Sequence, residues 1–144
     1  ALKLGSDCPF FIYNQPCFAT NRGEVLEEIE LDLSAYKLIM VCPGIHITTA
    51  QAFSMVNPLS PSKSIKQIAQ QPLETWTIEL KNDFEQPVFE QHPEIKKIKD
   101  DLYKTGALYA AMSGTGSTVY GILPKNKEMT FSFPSNYLVK TILV

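Results

Sequence analysis

The sequence lacks most of the features that would place it at a glance. Its three cysteines, Cys8, Cys17 and Cys42, are odd in number and show no Cys-x-x-Cys spacing, and its two histidines, His46 and His92, stand far apart. These counts exclude a disulfide framework and the common zinc patterns, so no metal site is expected. No apolar run approaches the roughly 20 residues of a membrane-spanning helix, and no basic stretch leads into an apolar leader. The expected compartment is the cytoplasm, with no membrane partner. An excess of one charge is also missing. The 13 basic residues are scattered and, against 15 acidic ones, leave a net charge of -2. No face is marked to neutralise a phosphate backbone, so nucleic acid is not an expected partner. There is no internal repeat, and oligomeric state is not written in any of these features. A first methionine is missing too: the chain opens on "ALKLGSDCPFFIY" and enters an apolar pattern at once, which reads as a piece of something longer.

What is present is enough for one sizeable core. A chain of 144 residues, 44% hydrophobic and 19% charged, makes one ordinary domain without disorder-prone excess. "CPFFIY" and "CFAT", separated by Asn14-Gln15-Pro16, read as two strands of a hairpin. The nearly continuous apolar run "YKLIMVCPG", Tyr36 to Gly44, is the clearest central strand, and Thr48 or Thr49 caps a short helix after it. "NPLSPSKS", Asn57 to Ser64, reads as a loop whose last residue caps a helix from Ile65 to Gln70. Leu73, Trp76, Leu80 and Phe84 then fall at helical spacing, as do Ile95, Ile98 and Leu102 behind Pro93. After Gly106 the pattern turns β, with Ala107 to Ser113, a glycine turn, Thr118 to Leu123, and a last strand in "NYLVKTILV". This order fits an α+β sandwich with helices on one face of a mainly antiparallel sheet.

Three places can carry chemistry. In "AAMSGTGSTVYG", Ala110 to Gly121, two glycines allow positive φ and backbone N–H groups that face outward, among the hydroxyls of Ser113, Thr115, Ser117 and Thr118. Such a concavity suits a phosphate or a carboxylate; the plain alternative is a hairpin bend. Asp7, after Gly5-Ser6, is either a turn-capping residue or a general base on a substrate hydroxyl. "PGIHITTAQAF", Pro43 to Phe53, leaves the strongest strand for a helix. Ligands collect at such mouths; the alternative is a plain connection with Phe53 in the core. A cysteine hydrolase built on Cys8 and His46 has no third group to orient it.

"LGSDCPFF", "FATNRGE", "PGIHITTAQAFS", "LKNDFE" and "GALYAAMSGTGSTVYGI" occur in this order from Leu4 to about Ile122. With these motifs the chain resembles the diphosphocytidyl-methylerythritol kinases of the GHMP small-molecule kinase superfamily. The resemblance implies a ferredoxin-like GHMP C-terminal domain over 34–144, and over 1–33 a remnant of the N-terminal lobe with its connecting strands. It also implies that only the C-terminal half of such a kinase is present: no Pro-x-x-x-Gly-Leu-Gly phosphate loop occurs in the chain, and the fragment alone is expected to be inactive. The implied co-substrate and cofactor are ATP and magnesium, and the implied partner is a small molecule carrying a cytidine diphosphate.

Residue by residue, the resemblance assigns Asp7 to the substrate hydroxyl that attacks ATP, and Phe53 to stacking on cytosine. Thr49 and His46 fall at the substrate, and the turn Gly114-Thr115-Gly116-Ser117 lies beside the phosphate loop of the other half. Two departures stand out. Asn21 occupies the place of the first glycine in the family's Ala-x-Gly-x-Gly-Glu loop, and "PKNKEMTFSFPS", from Pro124, reads as turn and extended chain where the family has a helix. A homoserine- or mevalonate-type GHMP kinase would share the fold and the glycine turn, and a non-catalytic α+β binding domain would share the composition. The "PGIHITTAQAF" match favours the cytidine type.

Overall fold

Residue alternation along Tyr36–Cys42 sends Ile39 and Val41 to one side of the chain and Leu38 and Met40 to the other. A strand apolar on both sides belongs inside a sheet. In the computed structural model, which describes residues 3–56, 63–128 and 130–144, this segment is the inner strand β3 of a four-stranded sheet. The chain reaches it through helix α1 (Cys8–Tyr13) and a two-stranded sheet of β1 (Cys17–Thr20) and β2 (Val25–Glu28). After β3 come helices α2 (Thr49–Met55) and α3 (Ile65–Ala69), a 3-10 turn at Leu73–Thr75, and helices α4 (Trp76–Glu79), α5 (Glu85–Gln91) and α6 (Pro93–Lys104). Strands β4 (Tyr109–Met112), β5 (Val119–Pro124) and β6 (Leu138–Leu143) finish the sheet, whose order is β4-β5-β3-β6 with every neighbour antiparallel. That order, with β3 as first strand and β6 as last, is the ferredoxin-like arrangement anticipated from the sequence.

The main core lies between the sheet and the helices α5 and α6, where Val88, Ile95, Ile98 and Leu102 meet Ile39, Val41, Ala110, Met112, Val119 and Leu123. The i, i+3, i+7 spacing of Ile95, Ile98 and Leu102 puts all three on the buried stripe of α6. Tyr103 fastens the same helix: its hydroxyl donates to the Ala110 carbonyl and accepts from the Ala110 N–H, both at 3.1 Å. Burial pushes its phenol pKa up, so it stays a neutral donor and acceptor. A smaller cluster on the other face joins Ile68, Leu73 and Trp76 to Tyr109, Ala111 and Ile122.

Several local expectations are corrected. "CPFFIY" is helix α1, and the hairpin forms one element later, between β1 and β2. Pro9 at the start of the helix and Asn14 in the left-handed region at its end (φ 51°) are start and stop signals that outweigh the β-rich side chains between them. The stripe Leu73–Phe84 is broken into the 3-10 turn and α4, with Leu80 and Phe84 outside both, because Asn82 turns the chain before α5. Ser64 does precede α3, and Gln67 Oε1 accepts from its N–H at 3.2 Å, as half of a capping box. Residues 57–62 of the anticipated loop lie outside the described residues. Between β5 and β6 no helix appears among the described residues; Phe131 and Phe133 stack on each other, ring centroids 5.7 Å apart, and pack with Tyr137 against the main core.

Candidate functional site

Asp7 immediately precedes α1, the usual place for a capping carboxylate, yet its side chain makes no capping bond. Among the described residues its hydrogen-bond partner is the Ser6 hydroxyl, at 3.4 Å. The carboxylate rests over the bend of the β1–β2 hairpin, where Gly23 has φ +100° and a methyl group added there would collide with Asp7 Oδ1. Glycine is therefore required at position 23 twice over, by its backbone and by the space the carboxylate fills. Asn21, two residues earlier, has φ +59°. Asparagine tolerates the left-handed region better than most side chains, so the departure from glycine at this position keeps a glycine-like backbone.

The β3 exit holds the second group. Thr48 caps α2, its hydroxyl accepting from Gln51 N at 3.2 Å. Ala52 points into the core, and this sets Thr49 and Phe53, four apart, on another face of the helix. His46 and Thr49 are exposed. Phe53 is 63% exposed, so it is not a core residue, and its ring meets Phe84 edge to face with centroids 5.0 Å apart.

The glycine turn joins β4 to β5, with Gly116 N donating to Ser113 O at 3.0 Å and Ser113 N to Thr118 O at 2.8 Å. Gly116 has φ +97°, and a Cβ there would come within 2.8 Å of Met112 Sδ and 3.1 Å of Ile47 Cδ1. Ser117 is buried and donates to Ile45 O at 2.6 Å, which ties the turn to the loop that carries His46 and leads into α2. From the other side, Asn82 Nδ2 donates to Met112 O and Gly114 O, both at 2.8 Å. Glu85, also buried, accepts from Met112 N at 2.8 Å and pairs with Lys99 of α6.

Ser117 thus ties the glycine turn to the loop next to His46, Asn82 ties the turn to the segment carrying Phe84, and Phe84 meets Phe53 of α2. Asp7 is held by a different element, and no hydrogen bond among the described residues links it to the turn. Sequence reasoning missed Asn82 and Glu85. Their signal was an Asn three residues before a Glu at a helix start, inside the quoted "LKNDFE". Two cavities, of about 340 and about 260 Å³, lie beside Trp76 and beside Met55 and contain none of the predicted site residues.

Residues 64–129 match the family described as GHMP kinases C terminal. The chain carries a GHMP kinase C-terminal domain. The chain is 49% identical over 125 residues to the 4-diphosphocytidyl-2-C-methyl-D-erythritol kinase of Parabacteroides distasonis, covering 87% of this chain and 46% of that protein. Identity to the kinase of the same name from Bacteroides fragilis is 42% over 144 residues, 99% of this chain and 53% of that one. The chain spans about half the length of the curated relatives it matches. Among solved structures, a 4-(cytidine 5'-diphospho)-2C-methyl-D-erythritol kinase superposes with a TM-score of 0.71 at 26% identity, over 83% of this chain and 45% of that one. A homoserine kinase from Cytophaga hutchinsonii, TM-score 0.55 at 10% identity, shares the GHMP fold alone.

Proposed function

We propose that the chain is the C-terminal part of a cytoplasmic kinase that transfers the γ-phosphate of ATP to a hydroxyl of 4-diphosphocytidyl-2-C-methyl-D-erythritol, in non-mevalonate isoprenoid synthesis. The observation that carries this reading is the 49% identity, over 87% of the chain, to a kinase of that name. Residues 1–33 then belong with the N-terminal lobe and 34–144 with the C-terminal domain. That division is supported by two separate sheets, one formed by β1 and β2 and one by β3 to β6.

Phosphoryl transfer asks a protein chiefly for positioning and charge stabilisation. In this reading Asp7 accepts the proton of the attacking hydroxyl, a role supported by a carboxylate that no capping bond occupies. Phe53 offers its exposed face to the cytosine, with Thr49 near the diphosphate or erythritol, His46 at the substrate and the glycine turn beside the phosphate loop. Magnesium would accompany ATP. Among the described residues no three of His, Cys, Asp or Glu converge to hold a metal ion, and no step here runs through one.

Two measurements test the reading. Phe53→Ala in the full-length enzyme is expected to raise KM for the cytidine substrate about 10- to 100-fold, the equivalent of a lost base stack worth roughly 1–3 kcal/mol, with KM for ATP unchanged. A raised KM for ATP with an unaltered one for the cytidine substrate would remove Phe53 from the base site. The 144-residue chain by itself is expected to bind no Mg-ATP in calorimetry, since it contains no Pro-x-x-x-Gly-Leu-Gly loop. A micromolar Kd would overturn the assignment of ATP binding to the other half.

A further inference from the structure

The Asn82 side chain reaches both the glycine turn and the backbone of Phe84. Its Nδ2 donates to Met112 O and Gly114 O at the base of the glycine turn, each at 2.8 Å. Its Oδ1 accepts from Phe84 N at 3.0 Å, and the Phe84 ring meets Phe53 edge to face at 5.0 Å. Two carbonyls on one side and an N–H on the other permit a single orientation of the amide and use both of its donors. Its own carbonyl accepts from Glu85 N at 2.9 Å, and Glu85 in turn holds Met112 N. The amide therefore bridges the backbone of Phe84, whose ring meets Phe53 of α2, and a hairpin turn 30 residues on from it.

We infer that Asn82 is a positioning residue that sets the separation between the aromatic pair Phe53–Phe84 and the glycine turn, and through it the alignment of the substrate's base with the transferred phosphoryl group. The inference rests on the functional reading above, in which Phe53 holds the base and the turn flanks the phosphates. A hydrogen bond that merely stabilised a loop would need only one of these contacts. A misplacement of about 1 Å at the reacting atoms is enough to cost about 100-fold in rate.

Two substitutions separate the two ends. Asn82→Asp keeps an acceptor for Phe84 N but replaces both donors with an oxygen facing two carbonyl oxygens, so the turn is released and the aromatic pair stays held. Asn82→Ala releases both. In the full-length enzyme, Asn82→Asp is expected to lower kcat about 10- to 100-fold with KM for the cytidine substrate within about threefold of wild type, an effect confined to the transition state. Asn82→Ala is expected to lower kcat similarly and to raise that KM as well. Thermal melts establish that each variant is folded at the assay temperature; should Asn82→Asp not fold, Asn82→Ala alone carries the test. Folded variants with unchanged kcat and KM, whatever their loss of Tm, overturn the inference and leave Asn82 a structural tie. A wild-type enzyme without activity on the cytidine substrate overturns the functional reading itself, and the inference with it.

Discussion

Asp7→Asn in the full-length enzyme is expected to lower kcat by about 10²- to 10⁴-fold, the usual loss when a positioned general base is removed. Asparagine keeps the shape and the contact with Gly23 but cannot take a proton, so KM for both substrates should stay near wild type. The structure makes the substitution unusually clean. Asp7 stands at the head of α1 without making a capping bond, so the helix loses no hydrogen bond when the carboxylate becomes an amide. Steady-state kinetics decide the matter: an unaltered kcat would reduce Asp7 to a residue that fills the hairpin bend.

Glu85→Ala is expected to lower stability by about 2–4 kcal/mol, because it leaves Lys99 without its partner and Met112 N–H without an acceptor. The upper part of the usual 3–5 kcal/mol range for a broken buried pair is not reached, since the Lys99 side chain keeps 22% of its exposure and lies over the Phe89 ring at 5.9 Å. In a protein of the relatives' length this corresponds to a drop in Tm of roughly 4–12 °C. Glu85→Gln retains an acceptor for Met112 N–H and should lose less than half as much. Equal losses for the two variants would show that the ion pair with Lys99, and not the bond to the strand, carries the effect.

What could be read in advance depended on whether the signal was local. The stripe Ile95, Ile98, Leu102 behind Pro93 specifies α6 by itself, and the run Tyr36–Cys42 specifies β3, because an apolar period needs no knowledge of what it packs against. Thr48 and Ser64 announced their helices by capping chemistry for the same reason. "CPFFIY" misled because its aromatic and branched residues favour strands, while none of them is buried in α1 and the decisive signals were Pro9 and Asn14 at its ends. At the site, the glycines at 114 and 116 and the aromatic at 53 were visible as residue types. The roles of Asn82 and Glu85 were not, since their partners lie about 30 residues further along and the meaning of a side-chain amide or carboxylate depends on which backbone groups it faces. Phe53 shows the converse: its residue type suited core and ligand equally, and its exposure removes the core reading.

The position of β3 in the sheet has a consequence for how the chain is made. Its two neighbours are β5 and β6, and the registers that pair Val41 with Val119 and Val41 with Val139 join residues far apart in sequence. Pairings of such range raise contact order and slow folding, because a long loop must close before either edge of the strand is satisfied. At synthesis rates of about 5–20 residues per second, β3 leaves the ribosome several seconds before β5 and waits longer still for β6. During that interval Ile39 and Val41, both fully buried in the finished sheet, have no partner strand on either side. This sheet is therefore open to mispairing from the emergence of β3 until the six-residue β6 has been translated.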